Sequence, residues 1–188
     1  IPSGLALIGD TSPSQNIVIS DNILDSMGVA NGHVSGTLPV GGVHIEGLSA
    51  AIPIRNVNVS NNILRKFTND DGILITFGET VNVSGNNVSE GTAGQGIRIL
   101  TSSRVNVNDN IIYSVGKHGI QVVGPGTDCQ VRGNYVKGAS RLTNIIYSGI
   151  IANSSYTGFT IQGNKVRKFG DARNEVLHGV FASSGSGG

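Results

Sequence analysis

The sequence has little charge and only one cysteine, and each shortage excludes a class of protein. Charged residues make up 13% of the 188 residues, with 13 Lys and Arg balanced by 12 Asp and Glu. This balance provides no basic field for nucleic acid or for an anionic membrane surface. The single Cys129 excludes an internal disulfide framework and a cysteine-rich metal site. We therefore predict no nucleic-acid partner and no metal centre.

Long hydrophobic runs are also missing. The longest uninterrupted apolar run is far below the roughly 18 residues that a membrane-spanning helix needs. The first residues do not show the charged and apolar regions of a signal peptide. No stretch shows a convincing 3.6-residue apolar period, whereas short alternating strands of Val and Ile recur throughout. We predict an all-β fold without membrane insertion.

The chain instead contains a repeat. Six segments follow the pattern Val-x-Val-x-x-Asn or a close variant, and they end at Asn22, Asn62, Asn86, Asn110, Asn134 and Asn164. A second pattern, Gly-Ile-x-Ile, begins at Gly42, Gly72, Gly96, Gly119, Gly149 and Gly179. Successive asparagines are 40, 24, 24, 24 and 30 residues apart, so the basic unit has 24 residues and the extra residues form loops.

Three brief strands per unit, each stacked on its equivalent in the next unit, are typical of a parallel β-helix. We predict a right-handed parallel β-helix solenoid of about six to seven coils, in one domain over residues 1–188. The asparagines are expected to form a ladder of stacked amides at a sharp turn. The glycines suit either a positive φ or close backbone approach. Because neither end resembles a cap, we also expect an excerpt of a longer chain.

The outward positions of the glycine strands include several large apolar residues, namely Leu74, Leu100, Val123, Ile151 and Phe181. An apolar stripe on a surface usually marks association or cover by another segment. Two interpretations stay open, which are a homotrimer formed through this face and a terminal segment folded over it.

Loop lengths predict a notch on one edge of the solenoid. The segments that precede the glycine strands are long over residues 25–41, 137–148 and 167–178, with short turns between them. Function often lies on such loops over a rigid scaffold. The predicted floor of the notch is the column before each glycine: Asp71, Gln95, His118, Ser148 and His178. At ~4.8 Å per coil, Asp71 and His118 would lie roughly 9–10 Å apart.

From this column and the residues before it we predict two groups of site residues. The catalytic candidates are Asp70, Asp71 and His118, and the substrate-binding candidates are Gln95, Lys117, Tyr147 and His178. A partner acid for Asp71 could be Asp171, Glu175, Glu46 or Glu90. The competing interpretation treats Asp70 and Asp71 as turn residues, because Asn-Asp-Asp-Gly is strong turn chemistry, and the histidines as surface turn residues.

The repeats resemble those of the pectate-lyase-like right-handed β-helix superfamily over residues 4 to 184, through Gly-Ile-x-Ile and Val-x-Val-x-x-Asn-x-Val. The loop over residues 163–171 is most similar to phage tailspikes. Asn69-Asp70-Asp71-Gly72 and Lys117-His118-Gly119 resemble the Asp-Asp and His-Gly motifs of polygalacturonase-type hydrolases. In this chain a whole coil separates the two motifs, and the Asn-Thr-Asp and Arg-Ile-Lys motifs are absent.

This resemblance implies work on carbohydrate. Our first hypothesis is that the chain is part of a tailspike-like homotrimer, located on a virion tail or outside the cell. This protein would bind and depolymerise a bacterial surface polysaccharide. The alternatives are a non-catalytic glycan-binding or structural shaft, and a secreted hydrolase, lyase or epimerase of uronate polymers. No cofactor is expected, except Ca²⁺ for a lyase with Arg98 or Lys117 as base. Two carboxylates are few for an ion that takes about 6–8 oxygens.

Overall fold

The computed structural model describes residues 5–8, 15–26, 41–68, 70–139, 147–153, 156–167 and 180–183. These residues contain strands, turns and bends and no helix, and hence no helix long and apolar enough to cross a membrane. The strands are β1 (Leu5–Ile8), β2 (Gln15–Ser20), β3 (Ile23–Asp25), β4 (Val43–Glu46), β5 (Ile54–Ser60), β6 (Ile63–Arg65), β7 (Ile73–Thr76), β8 (Gly78–Ser84), β9 (Asn87–Ser89), β10 (Ile97–Leu100), β11 (Ser103–Asn108), β12 (Ile111–Tyr113), β13 (Ile120–Val123), β14 (Gly126–Arg132), β15 (Tyr135–Lys137), β16 (Ile150–Asn153), β17 (Tyr156–Gln162), β18 (Lys165–Arg167) and β19 (Val180–Ser183).

The strands form three parallel sheets, and every third strand belongs to the same sheet. Sheet A has the order β1-β4-β7-β10-β13-β16-β19, sheet B the order β17-β14-β11-β8-β5-β2, and sheet C the order β18-β15-β12-β9-β6-β3. Each strand pairs in register with its equivalent one coil away, so that Ile97 lies between Ile73 and Ile120. The predicted all-β parallel β-helix of six to seven coils is confirmed.

The core follows from the alternation of side chains along each strand. In sheet B the inward positions form two buried columns, which are Val57, Val81, Val105 and Cys129, and Val59, Val83, Val107 and Val131. Cys129 therefore takes the place of a valine, and burial raises the pKa of its thiol to about 12. A thiol in such a position stays protonated and unreactive.

The asparagines form the predicted ladder at the corner between sheets B and C. Asn86 is fully buried, and its Oδ1 accepts hydrogen bonds from both the backbone N–H and the Nδ2 of Asn62, each at 3.0 Å. Its Nδ2 donates to the carbonyl of Val59 at 2.8 Å and to Asn110 Oδ1 at 3.0 Å. Because every polar atom of this amide is paired, burial in the corner carries no penalty for an unsatisfied group.

The glycines that precede the strands of sheet A allow neighbouring coils to approach closely. Close backbone approach was one of the two predicted reasons for glycine, and a positive φ was the other. Gly42, Gly72, Gly96, Gly119 and Gly149 are the described members of this column. None of the five belongs to the described glycines with positive φ, which are Gly85, Gly133, Gly138, Gly158 and Gly163. A Cβ at Gly72 would lie 2.7 Å from the carbonyl oxygen of Gly96 and would overlap the Val88 side chain. The column of glycines therefore leaves room at the start of sheet A for the backbone of the next coil and for side chains of sheet C.

Candidate functional site

The column predicted to form the floor of the notch lies at the corner where the chain passes from sheet C to sheet A. The structure describes four members of the floor column, Asp71, Gln95, His118 and Ser148, which lie one coil apart. Most of the long loops lie outside the described residues, as do the candidates His178, Asp171 and Glu175. The geometry of the site therefore rests on the floor column and on the adjoining strands of sheet A.

Two members of the floor column bind the backbone of the next coil. Asp71 is 3% exposed, and its Oδ1 accepts the backbone N–H of Gln95 at 2.8 Å. His118 is also buried, and its Nδ1 accepts the backbone N–H of Ser148 at 2.9 Å. These bonds make the column a second, shorter ladder that links successive coils. The sequence predicted the alignment of these residues, whereas the structure adds that their side chains are buried.

The environment of Asp71 changes its chemistry. Burial raises the pKa of Asp71 from 3.8 to about 6, and the nearby Asp70 carboxylate adds to the rise. The Gln95 N–H and the charge of Arg98 oppose this rise, and Arg98 Nη1 lies 3.6 Å from Asp71 Oδ2. Within the described residues Oδ2 makes no hydrogen bond. A carboxyl with a pKa near 6 can hold a proton close to neutral pH, which is what a general acid requires.

His118 has a narrower chemical role than its residue type suggests. Burial lowers the pKa of His118 below its usual 6.5, and the charges of Lys117 and Arg98 add to this effect. The neutral ring accepts a hydrogen bond at Nδ1, so its proton resides on Nε2. The ring also packs against Tyr147 in an edge-on arrangement with 5.0 Å between centroids. His118 can therefore donate a hydrogen bond through Nε2 but cannot accept a proton at Nδ1 while that bond persists.

Asp70 and Lys117 lie beside the floor column and are half-buried. Asp70 Oδ1 accepts the backbone N–H of Asp71 at 2.9 Å, which is the local bond expected of a turn residue. The structure thus brings Asp70, Asp71 and Gln95 together, with His118 and Tyr147 further along the same corner. This contact agrees with the competing interpretation of Asp70 as a turn residue, and its catalytic role stays a prediction.

Sequence reasoning left Arg98 and Gln121 out of the predicted binding set. They are adjacent in register on the outward face of sheet A. Gln95 Nε2 donates to Gln121 Oε1 at 2.8 Å, and Arg98 lies against Asp71. Gln121 follows Gln95 by one 24-residue repeat plus two residues, and Arg98 follows Asp71 by one repeat plus three. This spacing was the signal in the sequence that could have identified Arg98 and Gln121 as partners of the floor column. Together, Asp71, Gln95, Arg98 and Gln121 form what we name the corner cluster.

The predicted apolar stripe on sheet A is interrupted. Leu100 and Val123 are neighbours in one outward row, whereas Arg98 and Gln121 separate Leu74 from Ile151 in the other. All four apolar side chains are half-buried, and the side chain of Phe181 lies outside the described residues. The face is therefore mixed, with its polar part beside the corner.

The other predicted acids lie elsewhere. Glu46 Oε2 pairs with His44 Nε2 at 3.2 Å on the outward face of sheet A. Glu90 is an exposed turn residue with a φ of 59°. In the part of the chain that the structure describes, no group of three or more His, Cys, Asp or Glu side chains could hold a metal ion.

The sequence comparisons agree with the architecture. The family described as right handed beta helix region matches residues 4–187. The searches of curated proteins and of solved structures each found no match. The family match covers nearly the whole chain, including all nineteen strands and the corner cluster. The chain therefore belongs to the right-handed β-helix family.

Proposed function

We propose that this chain binds a bacterial surface polysaccharide at the corner cluster, as part of a virion-tail or extracellular protein similar to phage tailspikes of the pectate-lyase-like superfamily. β-Helix proteins often bind or act on polysaccharides. The corner cluster supplies the kind of groups that such a ligand needs, because sugar hydroxyls are bound by fixed polar side chains on a rigid scaffold.

This proposal rests on the contacts that Asp71 makes with Arg98 and that Gln95 makes with Gln121. Arg98 is held beside the buried Asp71 carboxylate and keeps 35% of its side chain exposed. Gln121 is half-buried and is fixed by Gln95. Two planar hydrogen-bonding groups are thus oriented before a ligand arrives, which lowers the entropy cost of binding.

Cleavage of the polysaccharide is a second candidate, and the raised pKa of Asp71 favours it. In hydrolysis Asp71 would protonate the glycosidic oxygen while a second carboxylate acts on water or on the sugar. Asp70 is the neighbouring carboxylate, but its Oδ1 is engaged by the Asp71 N–H. Asp71 itself is only 3% exposed, which limits its contact with a glycosidic oxygen. Binding without cleavage therefore has the stronger support. A Ca²⁺-dependent lyase with Arg98 or Lys117 as base is a weaker alternative.

We further propose that the chain assembles as a homotrimer through the part of sheet A that carries Leu100 and Val123. These residues lie in the row away from the corner cluster, next to Thr76. Packing through this row would leave Arg98 and Gln121 at the edge of the interface, open to a glycan. Sedimentation of the wild type and of Leu100→Asp would test the assembly, and a monomeric wild type would contradict it.

Binding to capsule, lipopolysaccharide and teichoic acid tests the main proposal. In the double variant Arg98→Ala/Gln121→Ala we expect affinity for the bound glycan to fall by at least about tenfold. The matched control is Arg104→Ala/Gln130→Ala, which removes the same residue types from sheet B. Unchanged binding by the corner variant would contradict the proposal, and chromatographic sizing of the glycan would reveal cleavage.

A further inference from the structure

The outward face of sheet C combines aromatic and basic side chains over its last three coils. Strands β12, β15 and β18 pair in register and present two outward rows. One row contains Ile111, Tyr135 and Lys165, and the other contains Tyr113, Lys137 and Arg167. We name these six residues the sheet C patch. It lies on a different sheet from Arg98 and Gln121.

Each lysine of the sheet C patch lies over the tyrosine of the preceding coil. Lys137 Nζ is 5.3 Å from the centroid of the Tyr113 ring, and Lys165 Nζ is 5.8 Å from that of Tyr135. These distances fall within the range of cation–π contacts. A cation–π contact positions the ammonium group without using its three hydrogen-bond donors. The lysines are therefore placed by the rings and can still bind an anion.

The charges of the patch are not balanced by carboxylates. None of its six residues is acidic, and Lys137, Lys165 and Arg167 form no ion pair within the described residues. Several basic residues elsewhere do have partners: Glu79 binds Arg55 and Arg104, and Asp25 lies 3.5 Å from Lys66 Nζ. Three cations on one face thus provide a local positive surface on a chain whose net charge is +1.

The patch also offers apolar surface beside its cations. Tyr113 is 45% exposed, and Ile111 is similarly exposed. Lys165 and Arg167 are exposed, while Tyr135 and Lys137 are half-buried. An exposed tyrosine presents an apolar ring with a polar hydroxyl, which suits a sugar that has apolar C–H groups and polar hydroxyls. Neighbouring coils are ~4.8 Å apart, a spacing similar to the rise of one pyranose unit in an extended glycan.

We propose that the sheet C patch binds a linear acidic polysaccharide that runs along the solenoid axis. The carboxylates of the glycan lie against Lys137, Lys165 and Arg167, and its sugar rings pack on Tyr113 and Tyr135. The near-neutral chain has too small a basic field for a nucleic acid, whose binding depends on many phosphate contacts. This second site does not depend on the corner cluster.

Polygalacturonate oligomers and their fully methyl-esterified forms provide a matched pair of probes that differ in charge. We expect the acidic form to bind and the ester to bind at least about tenfold more weakly. Binding of the acidic form should also weaken steadily between about 50 and 500 mM salt, because released counterions oppose it. Equal binding of the two forms, or tighter binding of a single-stranded DNA oligomer, would overturn the proposal.

Substitutions locate the site. In the 188-residue chain, Lys137→Gln/Lys165→Gln/Arg167→Gln should reduce affinity for polygalacturonate by at least about tenfold. The control Arg55→Gln/Lys66→Gln/Arg104→Gln removes the same charge from other surfaces and should stay within about twofold. Circular dichroism would verify the fold of each variant. If Arg98→Ala/Gln121→Ala abolished this binding and the patch variant did not, the glycan would occupy the corner cluster and the inference would be wrong.

A single aromatic substitution provides a second measurement. Tyr135→Leu keeps an apolar side chain but removes both the ring for the sugar and the support for Lys165. We expect a loss of about fivefold for the acidic oligomer, with its salt dependence retained. Unchanged affinity would show that the ring takes no part in binding and would contradict the proposed stacking.

Discussion

The Asp71 carboxylate and the backbone N–H of Gln95 are joined by a 2.8 Å hydrogen bond that links two successive coils. Both groups are buried, so neither can exchange this partner for water. The same carboxylate faces Arg98 through its second oxygen. One side chain therefore stabilises the corner and also supports the group that we propose to bind glycan.

The two roles of Asp71 can be separated with two substitutions. Asp71→Asn keeps an oxygen that can accept the Gln95 N–H, whereas Asp71→Ala leaves that buried donor unpaired. We expect Asp71→Ala to lower the free energy of unfolding by about 1–3 kcal/mol relative to Asp71→Asn. Urea denaturation at pH 7 measures the difference. Equal stability of the two variants would contradict a structural role for this bond.

The stability of the chain should depend on the protonation of Asp71. The pKa of Asp71 in the folded state, about 6, exceeds the ordinary 3.8. Between pH 3.8 and about 6 the folded state therefore binds a proton that the unfolded state has lost. Stability from this group is therefore greatest below about pH 4, falls as the pH rises towards about 6, and is constant above that. The total change is on the order of 3 kcal/mol. We expect the difference in stability between wild type and Asp71→Asn to follow this curve, whereas Asp109→Asn serves as an exposed control.

His118 should produce the opposite dependence. Its pKa is lowered in the folded state, so the unfolded state binds the proton more readily. Stability from His118 is thus present above pH 6.5 and is lost as the pH falls through that value. His118→Gln should remove this loss of stability at low pH. Urea denaturation of wild type and variant at pH 5 and pH 7.5 would measure the difference. If the two pH values gave the same difference between wild type and variant, the proposed burial of a neutral ring would be wrong.

The sequence predicted the scaffold well because its coils repeat the same constraints. Asn86 and Asn110 recur at one 24-residue spacing, and stacking converts that spacing into a ladder. The residue before each ladder asparagine also has a repeated conformation, which is a positive φ. Asp21, Asn61, Gly85, Asp109, Gly133 and Gly163 all have φ between 55° and 65°, and their residue types were visible in the sequence.

The candidate site was predicted less completely. The periodicity placed Asp71 and His118 in one column, but it could not indicate that they turn inwards to accept backbone N–H groups. Burial of a polar side chain depends on whether the next coil offers a donor, and that depends on three-dimensional packing. Arg98 and Gln121 lie on the outward face of sheet A, whereas their partners Asp71 and Gln95 lie on the corner, so only the structure joined them.

The interior of the asparagine ladder should tolerate substitution less than its end. Asn86→Ala would leave the buried backbone N–H of Asn62 without its acceptor, and Asn62 Nδ2 would keep only the Ile19 carbonyl of its two acceptors. The substitution would also leave a small cavity. We expect a loss of about 2–5 kcal/mol in the free energy of unfolding. Asn22 is exposed and donates to Asn62 Oδ1, so Asn22→Ala is the matched control with a loss below about 1 kcal/mol. Similar losses for both variants would contradict a cooperative buried ladder.

If the corner cluster cleaves glycan, Asp71 must be protonated to act as the general acid. The folded pKa of about 6 then predicts that kcat/KM falls as the pH rises through about 6. Asp71→Asn should lower the activity by at least about 100-fold, while keeping most of the stability. Turnover of the glycan bound at the corner, followed from pH 4.5 to 8, measures this dependence. Cleavage that persists in Asp71→Asn would assign the reaction to other residues, whereas binding without any turnover in wild type would establish a glycan-binding shaft.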